Sequence, residues 1–187
     1  MNAVNLRKIK SGFVKTNDVH QAGLACVASV IKFYGGNTEM QRLYNNSGAA
    51  ENGVNLLGLC KAAQNEGFKA NGFKANIDAV KGLDDPVILH ISKGLGSEDF
   101  IILYGWQKNK FIVGDPQWGI VEYREDQLEA VWKSNTLMLL QPDESFKTKS
   151  EKARLKRKWL VKLIENQKRV LRVMGVIGLI LALILIA

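Results

Sequence analysis

Few side chains in this sequence can do chemistry by themselves. Thiols are limited to Cys26 and Cys60, and imidazoles to His20 and His90. No spacing among these four matches a zinc site, and no glycine-rich loop closes on Gly-Lys-Ser/Thr. The sequence therefore predicts no cofactor and no metal. A position is more informative than any of these side chains. In the stretch His20 to Gly36, apolar residues follow Gly23 at Leu24, Val27, Ala28 and Ile31, the spacing of one helix face. Cys26, Val30 and Phe33 cover a second side, leaving mainly Ser29 and Lys32 for water. A helix this apolar belongs in a core, and Gly35-Gly36 ends it. Its first residue sits among unpaired N–H groups at the positive end of the dipole, a seat suited to a thiolate. That seat holds Ala22.

This stretch resembles the nucleophile helix of the C39 peptidase domains, papain-like cysteine proteases at the front of peptidase-containing ABC exporters. The family pattern runs Gln, five residues, Cys-Gly, then a small-residue helix closing on Tyr-Gly. Here Gly23, Ala25, Cys26 and Phe33-Tyr34-Gly35 are kept, while Ala22 stands at the cysteine and Thr16 at the oxyanion-stabilising glutamine. The resemblance implies a base opening the strand His-aromatic-aliphatic-aliphatic. The matching run is Asp99-Phe100-Ile101-Ile102-Leu103, so Asp99 takes the base's place. The base-orienting Asp of the family lies in an Asp-Pro pair ending the next strand, which Asp115-Pro116 fits. Of the four catalytic positions, the resemblance leaves Asp115 alone unchanged. Alanine has no nucleophilic atom, and the members of such a triad act as a unit. Asp99 facing Asp115 would bring two carboxylates together, an arrangement that calls for a proton or a cation between them. Cys26, one turn beyond Ala22, reads as a small core hydrophobe. His90 reads as an inner-strand residue, and His20 as an exposed residue before the helix.

The elements needed to position these residues follow in order. A short strand is expected near residues 9–15, the core helix over 22–34, and a short helix over 39–45 capped by Thr38. A helix bearing Leu56, Leu59, Cys60 and Ala63 ends at Gly67. Residues 68–73 alternate as a strand, 77–81 form a helical turn, and Pro86 opens the apolar strand 87–91. Strands are expected over 100–106, 111–116, 120–123 and 136–140, with an acidic helix over 125–132 before the last. Helices first and antiparallel strands afterwards indicate α+β, with one helix buried against a sheet. The resemblance covers roughly residues 8–142 and makes this the papain-like layout.

Charge is uneven along the chain. Residues 147–172 hold 11 of the 26 Lys and Arg against Glu151 and Glu165, so the net charge of +8 is local to that segment. Binding of nucleic acid by the domain is not expected. The two cysteines, both on apolar helical faces, suit a reducing compartment without a disulfide framework, and no secretory signal opens the chain. The segmentation expected is a C39-like domain over 1–142, a polar linker over 143–150, a basic amphipathic helix over 151–172 and an apolar run over 173–187. The apolar stripe of the basic helix holds Leu155, Trp159, Leu163, Ile164, Leu171 and Met174, the pattern of a helix lying on an anionic membrane surface. Residues 173–187 carry no charge and span about 22 Å as a helix. A bilayer core needs about 30 Å, so they read as the start of a transmembrane helix in a longer protein. The positive-inside rule then places the domain on the cytoplasmic face of a bacterial membrane.

Three functions are compatible with this sequence. The first is a proteolytically inactive C39-like domain that holds a leader peptide or protein cargo for an ABC exporter. The second is a leader peptidase, in variant form, that cuts after a double-glycine motif. The third is a module that only stabilises or gates the transporter.

Overall fold

The structure, a computed structural model, describes residues 5–48, 53–93 and 98–166. It falls into two compact units, Met1–Thr148 and Lys149–Ala187.

The first unit is built on a six-stranded, wholly antiparallel sheet. Its strands are β1 (Phe68–Lys74), β2 (Val87–Ser92), β3 (Glu98–Gln107), β4 (Lys110–Asp115), β5 (Gly119–Tyr123) and β6 (Thr136–Pro142). They lie in the order β1-β6-β2-β3-β4-β5. The run β2 to β5 is a meander of neighbours, whereas β6 returns to insert between β1 and β2. Side-chain alternation divides the strands between two cores. On one face Ile88, Phe100, Ile102, Tyr104 and Ile112 pack under three helices, α2 (Ala22–Phe33), α3 (Met40–Ser47) and α4 (Leu56–Gln64). On the other, Val87, Leu89, Ile101, Leu103 and Val113 meet Val80 of α5 (Ile77–Lys81) and Leu128 of α6 (Glu125–Val131). The α+β class and the antiparallel sheet are as expected.

The core helix α2 is buried at every residue from Ala22 to Ile31. That corrects one detail, since Ser29 does not meet water. Its Oγ donates to the Ala25 carbonyl at 2.8 Å and accepts from the Val14 N–H at 2.9 Å, so a polar residue is satisfied inside the core. The strand expected near residues 9–15 is instead a helix, α1 (Leu6–Gly12). The Asn5 side chain accepts from the Lys8 N–H, Ile9 is the buried anchor, and Gly12 lets the backbone approach Lys32 of α2. Helix α3 begins at Met40 behind Glu39, with no side-chain cap from Thr38.

Beyond β6, the Asp143 N–H donates to the Gly67 carbonyl at 2.9 Å and Phe146 packs edge-on against Phe68. Gly67 has φ +86° and touches the Phe146 backbone, so no side chain fits there.

The second unit contains α7 (Lys149–Asn166), with Leu155, Trp159 and Val161 exposed among its basic residues. No helix among the described residues is long and apolar enough to cross a membrane. The expected positions 167–172 of the basic helix, and the apolar run 173–187, lie outside the described residues.

Candidate functional site

The four sequence-predicted positions are connected through a short chain of contacts. Ala22 opens α2 and is buried. The next residue, Gly23, has no room for a side chain: a Cβ there would stand 2.8 Å from Leu59 Cδ1 and 3.0 Å from Phe100 Cδ2. The first turn of α2 therefore lies against the head of β3, where Asp99 precedes Phe100. One turn on, the Cys26 thiol reaches the Phe100 carbonyl at 3.5 Å. Thr16 joins from another direction, its N–H donating to the Pro116 carbonyl at 3.0 Å, immediately after Asp115.

Asp99 and Asp115 meet across a cation. The Lys93 ammonium lies 2.8 Å from Asp99 Oδ2 and 2.9 Å from Asp115 Oδ2. Both aspartate side chains are almost fully buried, at 3 % and 1 % exposure, while that of Lys93 keeps 24 %. The outer oxygens are also engaged. Asp99 Oδ1 accepts from the Phe100 N–H at 2.7 Å, and Asp115 Oδ1 accepts from the Gln117 N–H at 2.9 Å. The turn that Asp115 anchors carries Trp118, whose side chain projects outward at 74 % exposure. The cation that two facing carboxylates require is thus supplied by the chain itself. Among the described residues, no group of three or more His, Cys, Asp and Glu side chains is placed to hold a metal ion.

Burial alone would depress the Lys93 ammonium, but its contacts with the two aspartates outweigh this and hold its pKa above the ordinary value. The Cys26 thiol is driven the opposite way from a nucleophile. Burial, then the charges of Asp99 and Asp115, push it well above the usual cysteine value. It is fully buried and held neutral. His90, on β2, lies 3.3 Å through Nε2 from Glu98 Oε2, and its ring centroid is 5.2 Å from that of Phe100. It has the opposite parity to Leu89, Ile91 and Lys93 along β2, and so lies on the other face from the Asp99–Lys93–Asp115 contacts. His20 is exposed in the short 3₁₀ turn before α2.

Two grooves open beside these residues. One, of about 480 Å³, is lined by Asn55, Leu56, His90, Glu98 and Phe100, so the residues either side of Asp99 form part of its wall. The other, of about 360 Å³, is lined by His20, Gln21, Met40 and Tyr44 at the approach to α2.

Lys93 was not among the residues picked out from the sequence. The available signal was parity: Lys93 continues the set Leu89, Ile91, which points to one face of β2. A charged residue at an inward position, one place from a glycine-rich turn, calls for a partner.

The domain is thus an apolar helix laid by its first turn against the head of a strand of an antiparallel sheet. The chain belongs to the peptidase C39 family, whose profile covers residues 10–145. It is 25% identical over 163 residues to the lactococcin-G-processing and transport ATP-binding protein LagD of Lactococcus lactis subsp. lactis. That match takes in 86% of this chain and 23% of the relative. The chain spans about a quarter of the length of the curated relatives it matches. Among solved structures it is similar to the peptidase domain of Streptococcus ComA, a bi-functional ABC transporter involved in quorum sensing. There the TM-score is 0.65 with 29% identity, over 70% of this chain and 97% of that one. It also shares the fold of a double glycine motif protease from an AMS/PCAT transporter, solved in complex with its leader peptide. That likeness has TM-score 0.62 and 22% identity over 69% of this chain and 89% of that one.

Proposed function

We propose that this chain is a C39 domain that has lost proteolysis and serves an ABC exporter as the holder of its cargo or leader peptide. One observation carries the reading. Where a cysteine peptidase needs a thiolate and a neutral base, this chain has a methyl group at Ala22 and a lysine clamped between Asp99 and Asp115. A lysine held protonated by two carboxylates has no lone pair with which to accept a proton. Thr16, in place of the oxyanion-stabilising glutamine, is shorter, and its Oγ1 accepts from the Asp18 N–H at 3.1 Å. Two grooves lie near the start of α2, one lined by His20 and Gln21 and the other by Phe100, so binding can outlast catalysis.

The relatives support the setting. LagD is by name a processing and transport ATP-binding protein, and the AMS/PCAT protease was solved with a leader peptide. By likeness, the cargo carries a double-glycine leader and the domain works on the cytoplasmic face of a bacterial membrane. Helix α7 suits attachment to that surface, since its exposed Leu155, Trp159 and Val161 are surrounded by lysines and arginines. The segmentation that goes with this reading is a domain over 1–142, a linker over 143–150, and a juxtamembrane helix leading into a membrane span.

Family membership favours a second reading, a leader peptidase in variant form. A double-glycine leader peptide titrated against the chain separates the two. Saturable binding with the peptide recovered intact is expected, and cleavage at the Gly-Gly site discards the proposal. Absence of binding at millimolar peptide assigns the domain a purely structural role. The combined Thr16→Gln, Ala22→Cys, Asp99→His chain is the positive control for cleavage.

A further inference from the structure

We propose that Lys93 is a positioning residue, a fixed internal cation that holds the carboxylates of Asp99 and Asp115 together and with them the ends of β2, β3 and β4. This rests on the reading of Asp99 and Asp115 as former catalytic positions, and it assigns those positions a present role.

The geometry is that of a closed cluster. Lys93 follows β2, Asp99 opens β3 and Asp115 closes β4, so one ammonium ties three neighbouring strands at the same end of the sheet. Each carboxylate spends one oxygen on the ammonium and the other on a backbone N–H of its own turn. Two buried carboxylates facing each other without a cation would each lose hydration and repel the other. The exchange of a base for Asp99 is therefore tolerable only because Lys93 is present, and Lys93 could not stay half-buried without the two acids. The other titratable groups facing the cluster are Tyr123 from β5 and Cys26 from α2, both held neutral chiefly by burial. Among the described residues, Lys93 is the cation within ion-pair distance of both carboxylates.

Thermal unfolding of the 187-residue chain at neutral pH tests this. Lys93→Met should melt lower by roughly 10 °C, the loss expected when one partner of a buried ion cluster is removed. Asp99→Asn alone should lower the melting temperature, yet the same change added to Lys93→Met should raise it, because it removes one of two unneutralised charges. That inversion of sign is the result a merely space-filling lysine would not give. Strictly additive losses, or a Lys93→Met chain as stable as the parent, overturn the proposal. If Lys93→Met does not fold, Asp99→Asn/Lys93→Met is compared with Asp99→Asn. A double variant as stable as the single supports the cluster, and one that also fails to fold overturns it. The alkaline limb gives a second readout. With its folded pKa raised, Lys93 contributes fully at neutral pH, and its contribution disappears as pH climbs through that value. Lys93→Met should lack this share of the alkaline loss. None of these measurements involves cargo, so cleavage of a leader by the unaltered chain would sink the proposed function while leaving this result intact.

Discussion

Ser29 and Tyr104 show how polar atoms are handled inside this domain. Ser29 closes two bonds with backbone groups, and burial pushes the Tyr104 hydroxyl above its ordinary range, with Cys26 adding to the shift. A tyrosine raised in the folded state contributes stability that is complete below its unfolded pKa and is lost as pH rises through the folded one. Tyr104→Phe should therefore flatten the alkaline limb. Its stability relative to the parent should gain about 1.4 kcal/mol per pH unit above pH ~10, measured by urea unfolding at a series of alkaline pH values. Cys26, Tyr34 and Tyr123 titrate in the same direction, so the difference between parent and variant is the quantity to read. At this scale a sequence motif singles out Thr16, Ala22, Asp99 and Asp115, and the structure puts Asp99 and Asp115 in reach of one lysine. That lysine, Lys93, was not legible in the sequence. A lone lysine at a strand end has no spacing to betray it, and only the pairing of β2 with β3 brings it beside Asp99.

Among the elements, α2 determines most of the arrangement. Its burial was readable from its composition, and so was its stop, where Gly35 adopts φ +83°. What could not be read is how closely it approaches the sheet. Gly23 sits within contact of Leu59 and Phe100, so adding one methyl there forces α4 or the head of β3 to move. Gly23→Ala should cost about 1–3 kcal/mol, seen as a lower urea midpoint with an unchanged slope. It should also weaken leader binding, because Phe100 lines the larger groove. Helix α1 escaped prediction for the opposite reason. It is short and polar, with a single buried apolar anchor, and its start depends on the Asn5 cap rather than on any periodic pattern. The strands were legible by alternation and by their turn residues, such as Lys108-Asn109, both at positive φ. The insertion of β6 between β1 and β2 is a long-range pairing that local pattern does not encode.

Taken whole, the first unit is a sheet covered on both faces, with Lys93, Asp99 and Asp115 gathered at one end of it. Both cores run through the neighbours of Asp99, Phe100 in one and Ile101 in the other. This arrangement sets Asp99 at the margin of both. It also leaves an optical reporter in a useful place. The indole of Trp118 projects into water from the turn that Asp115 anchors, Trp132 is enclosed in the second core, and Trp159 is exposed on α7. In a Trp159→Phe background, a peptide seated beside that turn should shift the emission maximum to shorter wavelengths and saturate with the same midpoint as binding. An emission spectrum unmoved by a bound leader would place the peptide's seat elsewhere on the domain.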